Sequence, residues 1–342
     1  MSPRGLAILA AATLVSVALA IWGLARSSQA LPEASDTPLL AGLSERVNDV
    51  AKVEVTSAGQ TITLERGEAG WRIVERAGYP ADETKLRELI VRLAELRPVE
   101  AKTADPARLP RLELDDPAKA ESKAKQVRLL DRTGQLIAGV VVGKEAYGQF
   151  GPGRSGGYLR RLGEDQAWLA DAAVRVPGRP IDWIRREILD IPAGTIRSVV
   201  FEPPGGTALS ITAGTDSGWT IAPLPEGREI DPSRVERSAG ILGALVMQDV
   251  KPAAEVDFTA SPGSARFETT DGRTITLTWV ADGKESWVRF TAEAGPDASE
   301  EARKAVRELA PRLDGWAYKL SEFITARLRA DPEDLLEPAE AG

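Results

Sequence analysis

Two residue types are missing from this chain of 342 residues, and each absence excludes a class of chemistry. Without cysteine, the chain forms no disulfide, no thiolate nucleophile and no zinc–thiolate site. Without histidine, it lacks the commonest general base at neutral pH and the commonest ligand of transition metals. We therefore expect a non-enzymatic protein without catalytic, cofactor-binding or metal-binding residues.

Positive charge is outnumbered by negative charge. Lysine and arginine number 43 against 51 aspartates and glutamates, which gives a net charge of −8 and an isoelectric point near 5.0. A protein that binds nucleic acid needs a basic face to displace counterions from phosphate, so we expect no nucleic-acid partner. The apolar fraction of 43% is ordinary for a globular protein, and the length suits two domains.

A single long uncharged run, Leu6–Ala25, lies near the N terminus. As a helix its 20 residues would reach about 30 Å, which is enough to cross the hydrocarbon layer of a bilayer. Arg4 and Arg26 flank the run, and Trp22 stands where an indole reaches the headgroups. The sequence predicts a membrane anchor over 6–25, with a tail over 1–5 and a linker over 26–46.

The same segment has a competing interpretation as a cleaved signal peptide, because Ser28-Gln29-Ala30 places small residues at a suitable spacing. The apolar run is longer than a usual signal core, which favours retention. One arginine on each side is nearly a tie under the positive-inside rule. A five-residue tail most simply stays inside, so we expect everything after Arg26 to lie outside.

One sequence pattern occurs twice, from Gly70 to Val99 and from Gly218 to Val250. A strand that ends in GWRIV or GWTIA is followed by a proline-containing turn, an aspartate that starts a helix, and an apolar helical stripe. This recurrence is typical of one supersecondary unit used twice. The matched positions are Trp71 and Trp219, Ile73 and Ile221, Asp82 and Asp231, Leu86 and Val235, Leu93 and Leu242, and Leu96 and Leu245.

The predicted fold is α+β, with an N-terminal transmembrane helix followed by a duplicated strand-rich unit. Each repeat has a β-meander plus one amphipathic helix, and the sheets are antiparallel. The first repeat spans 47–176, a connecting helix 177–194, the second repeat 195–336 and a disordered tail 337–342. We expect these side chains in the core: Val53, Val55, Ile62, Leu64, Leu86, Leu89, Ile90, Leu93, Leu96, Trp71, Trp219, Trp279 and Trp316.

The motif GPGRSGG, Gly151–Gly157, matches two catalytic patterns at once. The dinucleotide-binding pattern requires a following helix, whereas the strand-like YLRRL follows here. The nucleophile pattern places a serine at Ser155 but needs a base, and nothing in the sequence fixes Lys144 as that base. The motif therefore predicts a flexible hairpin loop.

Two pairs of adjacent acids are the remaining candidates for acid–base chemistry, Asp115-Asp116 and Glu300-Glu301. Neighbouring side chains point to opposite faces of a strand and diverge by about 100° on a helix, so neither pair naturally shares a substrate. No stretch alternates acids around a glycine as calcium loops do. We expect these acids to be solvated surface charge.

The twofold pattern resembles the DUF4340 family of bacterial proteins. The resemblance rests on GWRIV and GWTIA, the helix starts Pro80-Ala81-Asp82 and Ile230-Asp231-Pro232, and the strand-rich second halves, and it covers roughly Val47 to Leu336. It implies a single-pass protein of the bacterial cytoplasmic (inner) membrane with its C-terminal bulk in the periplasm. Many members are encoded beside ABC-2-type permeases and gliding-type auxiliary proteins, which implies such a partner, and the family supplies no catalytic residues.

Three hypotheses about function follow. The first is a non-catalytic interaction subunit of an ABC-type transport system, held in the lipid bilayer by residues 6–25. The second is a hydrolase that acts on envelope material through Ser155 or carboxylates. The third is an extracytoplasmic module that binds glycan or lipid, since the chain has eight tryptophans.

Overall fold

The computed structural model describes residues 37–148, 150, 155–214, 218–282 and 285–338, together with Ser16. The expected anchor over 6–25, most of the linker, the tail from 339 on and residues 151–154 of the glycine-rich motif lie outside the described residues. Within the described ranges, no helix is long and apolar enough to cross a membrane. The anchor therefore stays a prediction from the sequence.

The chain divides into two compact units. The first takes residues up to Trp71 together with Glu83–Gly178, and the second takes Arg72–Asp82 together with all residues from Arg179 onward. A short stretch of the first repeat, residues 72–82, is therefore counted with the second unit.

A nine-stranded antiparallel sheet carries the first repeat. Its strands are β1 (Lys52–Ser57), β2 (Gln60–Gly67), β3 (Gly70–Ile73), β4 (Tyr79–Pro80), β5 (Pro98–Thr103), β6 (Lys125–Leu130), β7 (Leu136–Ala146), β8 (Gly156–Arg161) and β9 (Ala167–Ala170). The strand order is β4-β3-β2-β1-β6-β7-β8-β9-β5.

An eight-stranded antiparallel sheet carries the second repeat. Its strands are β11 (Ile196–Glu202), β12 (Leu209–Ala213), β13 (Trp219–Ala222), β15 (Asp249–Pro252), β16 (Gly263–Thr269), β17 (Arg273–Asp282), β18 (Glu285–Ala294) and β19 (Trp316–Lys319). Two short strands, β10 (Glu187–Leu189) and β14 (Leu245–Val246), form a separate pair. The order β13-β12-β11-β16-β17-β18-β19-β15 equals that of the first sheet once β4 is set aside.

Five α-helices accompany the sheets in the described ranges. They are α1 (Leu43–Arg46), α2 (Glu83–Glu95), α3 (Pro232–Ala239), α4 (Glu300–Leu313) and α5 (Glu322–Leu328). α2 and α3 occupy matching places in the chain. α2 follows β3 and β4 and precedes β5, and α3 follows β13 and precedes β14 and β15. α4 is an addition to the second repeat, since it joins β18 to β19, whereas β8 and β9 are joined by five residues.

The core follows the alternation that the sequence predicts. Val53, Val55 and Leu64 on the strands are fully buried, as are Leu86 and Leu93 on α2. A strand whose alternate residues are apolar buries one face, and a helix with apolar residues every three or four positions does the same. The antiparallel, strand-rich architecture is thus confirmed.

Two predicted helices differ from the structure. α3 ends at Ala239 and is followed by a 3₁₀ turn at Gly240–Leu242 and the strands β14 and β15. Two glycines, Gly240 and Gly243, weaken a helix at this point, so the apolar residues beyond them are buried in other conformations. Over 177–194, a 3₁₀ turn at Pro180–Trp183 and the strand β10 replace the expected connecting helix.

Candidate functional site

Ser155, the serine of the glycine-rich motif, lies immediately before β8, and the structure gives it a backbone role. Its carbonyl accepts a hydrogen bond from the Ala173 N–H at 2.9 Å. The Nζ of Lys144, the possible base, lies 6.0 Å from the centre of the Tyr158 ring. In the described part of the chain, no hydrogen bond joins Lys144 to Ser155, so the structure does not assemble this pair for nucleophilic attack.

The acidic pairs also have local roles. Asp116 accepts a hydrogen bond from the Ala118 N–H at 3.0 Å, which is a turn contact. The Oε1 of Glu300, on the first turn of α4, lies 3.1 Å from the guanidinium of Arg307. Among the residues that the structure describes, no three acidic side chains converge as a metal site would require. Asp116 therefore stabilises a turn, and Glu300 forms an ion pair on the surface of α4.

The first cleft lies in the first unit and has a volume of about 280 Å³. α2, the turn between β2 and β3, and the segment that precedes β1 surround it. Trp71, which the sequence places in the core, is only half-buried and lines this cleft. Its other lining residues are Val47, Asn48, Val50, Arg66, Gly67, Glu68, Gly70, Glu83, Leu86, Arg87 and Ile90.

A carboxylate closes one side of the first cleft against the backbone of β3. The Oε1 of Glu83 accepts a hydrogen bond from the Trp71 N–H at 3.1 Å. This approach needs glycine at the preceding position, because a Cβ on Gly70 would lie 2.4 Å from the same oxygen. The φ of +112° at Gly70 is also one that side-chain-bearing residues rarely adopt. The glycine in GWRIV is thus required by the cleft wall.

The second cleft lies in the second unit and has a volume of about 370 Å³. β13 forms one side of it, and the segment that leads into α3 forms the other. Trp219, the repeat counterpart of Trp71, is half-buried here, and Leu224 is 49% exposed. The described residues that line it are Trp219, Thr220, Ile221, Leu224, Arg228, Glu229 and Ile230.

Backbone hydrogen bonds to the C-terminal segment hold the far wall of the second cleft. The Glu337 N–H donates to the Glu229 carbonyl at 2.9 Å, and the Asp231 N–H donates to the Leu335 carbonyl at 2.8 Å. The guanidinium of Arg228 donates to the Glu337 carbonyl at 2.8 Å. The side chain of Asp231 caps α3 by accepting from the Ser233 and Arg234 N–H groups at 3.0 and 3.2 Å. This wall is therefore formed before any ligand arrives.

The residues that precede α2 in the first repeat and α3 in the second repeat pair with different segments. In the first repeat, the second and third residues before Asp82 form β4, which pairs with β3 in the register Arg72↔Pro80 and Ile73↔Tyr79. In the second repeat, the same positions before Asp231 are Arg228 and Glu229, which contact the C-terminal segment instead. The second cleft therefore lies where the counterpart of the β3–β4 pairing would be.

Two buried tyrosines with raised pKa values lie away from both clefts. Burial raises the pKa of the Tyr79 and Tyr318 phenols, and the proximity of Tyr79 raises that of Tyr318 further. Tyr318 donates to the Arg312 carbonyl at 2.5 Å. Tyr79 meets the ring of Trp316 edge-on, with 4.8 Å between ring centroids. Both phenols stay protonated at neutral pH and anchor residues 72–82 within the second unit.

The tryptophan predictions are thus partly wrong. Trp279 is 1% exposed and belongs to the core as expected, whereas Trp71, Trp219 and Trp316 are half-buried. Alternation along a strand shows which face a side chain takes, and it does not show how completely other segments cover that face. The signal in the sequence at both clefts is the recurrence of tryptophan at matched positions, and by itself that recurrence predicts core packing.

A family model with the description "Domain of unknown function (DUF4340)" matches residues 71–261. The match covers more than half of the chain, begins at Trp71 of the first cleft and includes the whole lining of the second cleft. No curated protein and no solved structure matches the chain.

Proposed function

Since this chain belongs to the DUF4340 family, we propose that it is a non-catalytic, single-pass protein of the bacterial inner membrane that binds another protein outside the cytoplasm. In this proposal it is an accessory subunit of an ABC-type transport system. Its partner is an ABC-2-type permease or a gliding-type auxiliary protein, and residues 6–25 hold it in the bilayer.

The uncharged run Leu6–Ala25 carries the membrane part of this proposal. Its 20 residues match the thickness of the hydrocarbon layer, and the arginines on both sides favour headgroup positions. The resemblance to DUF4340 proteins supports the orientation and the transporter partner in this proposal. An anchored protein whose remaining mass faces one compartment is well placed to hold or gate a neighbouring permease.

The clefts support binding rather than reaction chemistry. Each offers part of a tryptophan ring beside charged side chains, and aromatic and arginine residues contribute most of the energy at protein interfaces. The walls of both clefts are held by hydrogen bonds within the chain, so little ordering is needed on binding. Partial exposure of Trp71 and Trp219 is the structural observation on which the binding proposal depends.

Crosslinking in native membranes tests the proposed partner. The full chain is expressed with an affinity tag, crosslinked mildly, solubilised and purified, and the captured proteins are identified by mass spectrometry. We expect a permease or its auxiliary subunit to be recovered at well above the amount captured by an equally abundant tagged protein that carries only residues 1–46. Repeated recovery of the chain alone would contradict the proposal.

A glycan- or lipid-binding module is the second candidate, because the half-buried tryptophans leave ring surface that a sugar ring or acyl chain can cover. It predicts that envelope glycan or lipid shifts the tryptophan emission of the intact chain and that Trp219→Phe removes part of the shift. The hydrolase hypothesis stays a prediction, and Ser155→Ala is the variant that tests it.

A further inference from the structure

We infer that the second cleft binds an extended peptide segment of a partner protein, in which apolar and basic side chains alternate, by adding it as a strand to the open edge of β13. This inference deepens the proposed binding function and rests on it. It assigns a site, a binding mode and a chemical class of partner.

The first argument is the state of the sheet edge. β13 is the terminal strand of its sheet and pairs with β12 on one side, in the register Thr212↔Thr220 and Ile211↔Ile221. The Gly214 N–H donates to the Gly218 carbonyl at 2.8 Å. Hydrogen-bonded positions alternate along an antiparallel pair, so the N–H and C=O groups of Trp219 and Ile221 point away from β12. Such groups are a template for an incoming strand.

The second argument is what covers the matching edge in the first repeat. There β3, the counterpart of β13, is paired on its outer side by the two-residue strand β4, Tyr79–Pro80. An extended segment with an aromatic residue therefore already occupies this position once in the molecule. In the second repeat the residues that would do so, Arg228 and Glu229, bond to the C-terminal segment, which leaves the position to another chain.

The third argument is the shape of the space. The cleft of about 370 Å³ lies between β13 and residues 228–230, and Ile230 forms a β-bridge with Leu336, which does not belong to the lining. Its volume lies within the range of about 300–1,000 Å³ that is common for binding sites. Extended backbone on both sides suits a narrow, extended occupant better than a bulky one.

The fourth argument is the charge and polarity of the lining. Trp219 and the 49% exposed Leu224 offer apolar surface, which favours an apolar side chain on the occupant. Glu229 is exposed on the opposite wall, whereas Arg228 is occupied by the Glu337 carbonyl and by the carboxylate of Glu333 at 3.5 Å. The charge left for a ligand is therefore negative, and it complements a lysine or arginine.

A labelled heptapeptide of alternating valine and lysine, VKVKVKV, is the probe that tests the inference. Its binding to the full-length chain in zwitterionic lipid nanodiscs is measured by fluorescence anisotropy, with empty nanodiscs as the blank. We expect saturable binding that is at least about tenfold tighter than that of VEVEVEV. The same peptide with N-methyl groups at alternate backbone positions has lost donors to the edge and should also bind at least about tenfold more weakly.

Two exposed substitutions locate the site, and a third serves as the matched control. Leu224→Glu and Glu229→Lys should each weaken the probe by about tenfold or more. Leu136→Glu changes a leucine of similar exposure, 41%, on β7 of the first unit and should leave binding unchanged. Equal weakening by all three variants, equal affinity for VEVEVEV, or no saturation up to about 1 mM would overturn the inference.

Further outcomes separate this inference from the proposed function. If the probe fails but the membrane crosslink recovers a permease equally from the wild type and Leu224→Glu, the partner binds elsewhere and only the cleft assignment is lost. If the probe binds at the cleft but no permease is recovered, the transporter partnership is lost. If an unlabelled peptide of residues 26–36 displaces the probe, the cleft is filled by the chain's own linker, and the partner-peptide inference is wrong.

Discussion

The first and second clefts lie in sheets with the same strand order, yet their walls are held by different contacts. In the first repeat, β4 covers the outer edge of β3, and Glu83 binds the strand backbone from the helix. In the second repeat, the corresponding residues pair with the C-terminal segment, and β13 stays at the sheet edge. The strand orders are alike and the edges differ, because β4 pairs with β3 in the first sheet whereas β13 is the terminal strand of the second.

The largest expected effect is on the free energy of unfolding, when a tryptophan of the core and a tryptophan of a cleft are each replaced by alanine. Trp279→Ala removes a ring that is 1% exposed and that stacks against the backbone at Gly263, where a Cβ would lie 2.3 Å from the ring. We expect a loss of about 3–5 kcal/mol in the free energy of unfolding. Trp71→Ala, at a half-buried position, should cost roughly half of that or less.

Urea denaturation followed by circular dichroism measures both tryptophan variants. Because the two units need not unfold together, hydrogen exchange of peptides from each unit assigns the loss to the unit that carries the change. A loss for Trp71→Ala as large as that for Trp279→Ala would show that the first cleft is part of the core, and the comparison between cleft and core residues would fail.

A pair of matched glycines tests whether the two clefts are built differently. Gly70→Ala should destabilise the first unit by about 1–3 kcal/mol, because φ is +112° and the new Cβ would meet the Glu83 carboxylate. Gly218→Ala at the repeat counterpart meets no atom within 4 Å and should change stability by about 0.5 kcal/mol or less. The same denaturation experiment compares them, and equal losses would mean that the two hairpins carry the same constraint.

The sequence predicts the antiparallel sheets and much of the core because both depend on local periodicity. Residues such as Val53, Val55 and Leu64 alternate along strands, and those on α2 recur at helical spacing, so burial follows from the pattern. The matched Trp71 and Trp219 also indicate a repeated unit before any coordinates are known. These features need no information about which distant segments meet.

The clefts depend on pairings between distant segments of the chain, and local sequence patterns do not predict which distant segments pair. That residues 229–231 pair with 335–337 and leave β13 at the edge follows from contacts about 100 residues apart in the chain. The early end of α3 has a local cause in Gly240 and Gly243, but an apolar stripe that continues past them conceals it. Edge coverage is thus the property that a single sequence predicts least well.

The smallest expected effect concerns an arginine–glutamate ion pair that joins two central strands in each sheet. The strand that carries the glutamate in one sheet corresponds to the strand that carries the arginine in the other. In the first sheet the glutamate is on β1 and the arginine on β6, with 2.6 Å between Glu54 Oε2 and the Arg128 guanidinium. In the second sheet the arginine is on β11 and the glutamate on β16, with 2.8 Å between Arg197 and Glu268. The hydrogen bond from Arg197, aided by its charge, holds the pKa of the Glu268 carboxyl below its usual value despite some desolvation.

A carboxyl group whose pKa is lower in the folded state than in the unfolded state stabilises the fold above its unfolded pKa, and it loses this contribution as the pH falls through its folded pKa. We therefore expect Glu268→Gln to flatten the decline in stability below about pH 4.5, where unfolded glutamates begin to bind protons. An exposed ion pair of this kind contributes about 0–1 kcal/mol to the free energy of unfolding, so the change is small.

Arg197→Gln should flatten the same part of the curve to a smaller extent, because Ser198 and Arg266 still contact the Glu268 carboxylate. The double variant should match Glu268→Gln, since that substitution already removes the carboxylate. Urea denaturation from pH 3 to pH 7 measures the curves, and a Glu268→Gln curve parallel to that of the wild type would show that the second sheet gains nothing from its reversed pair.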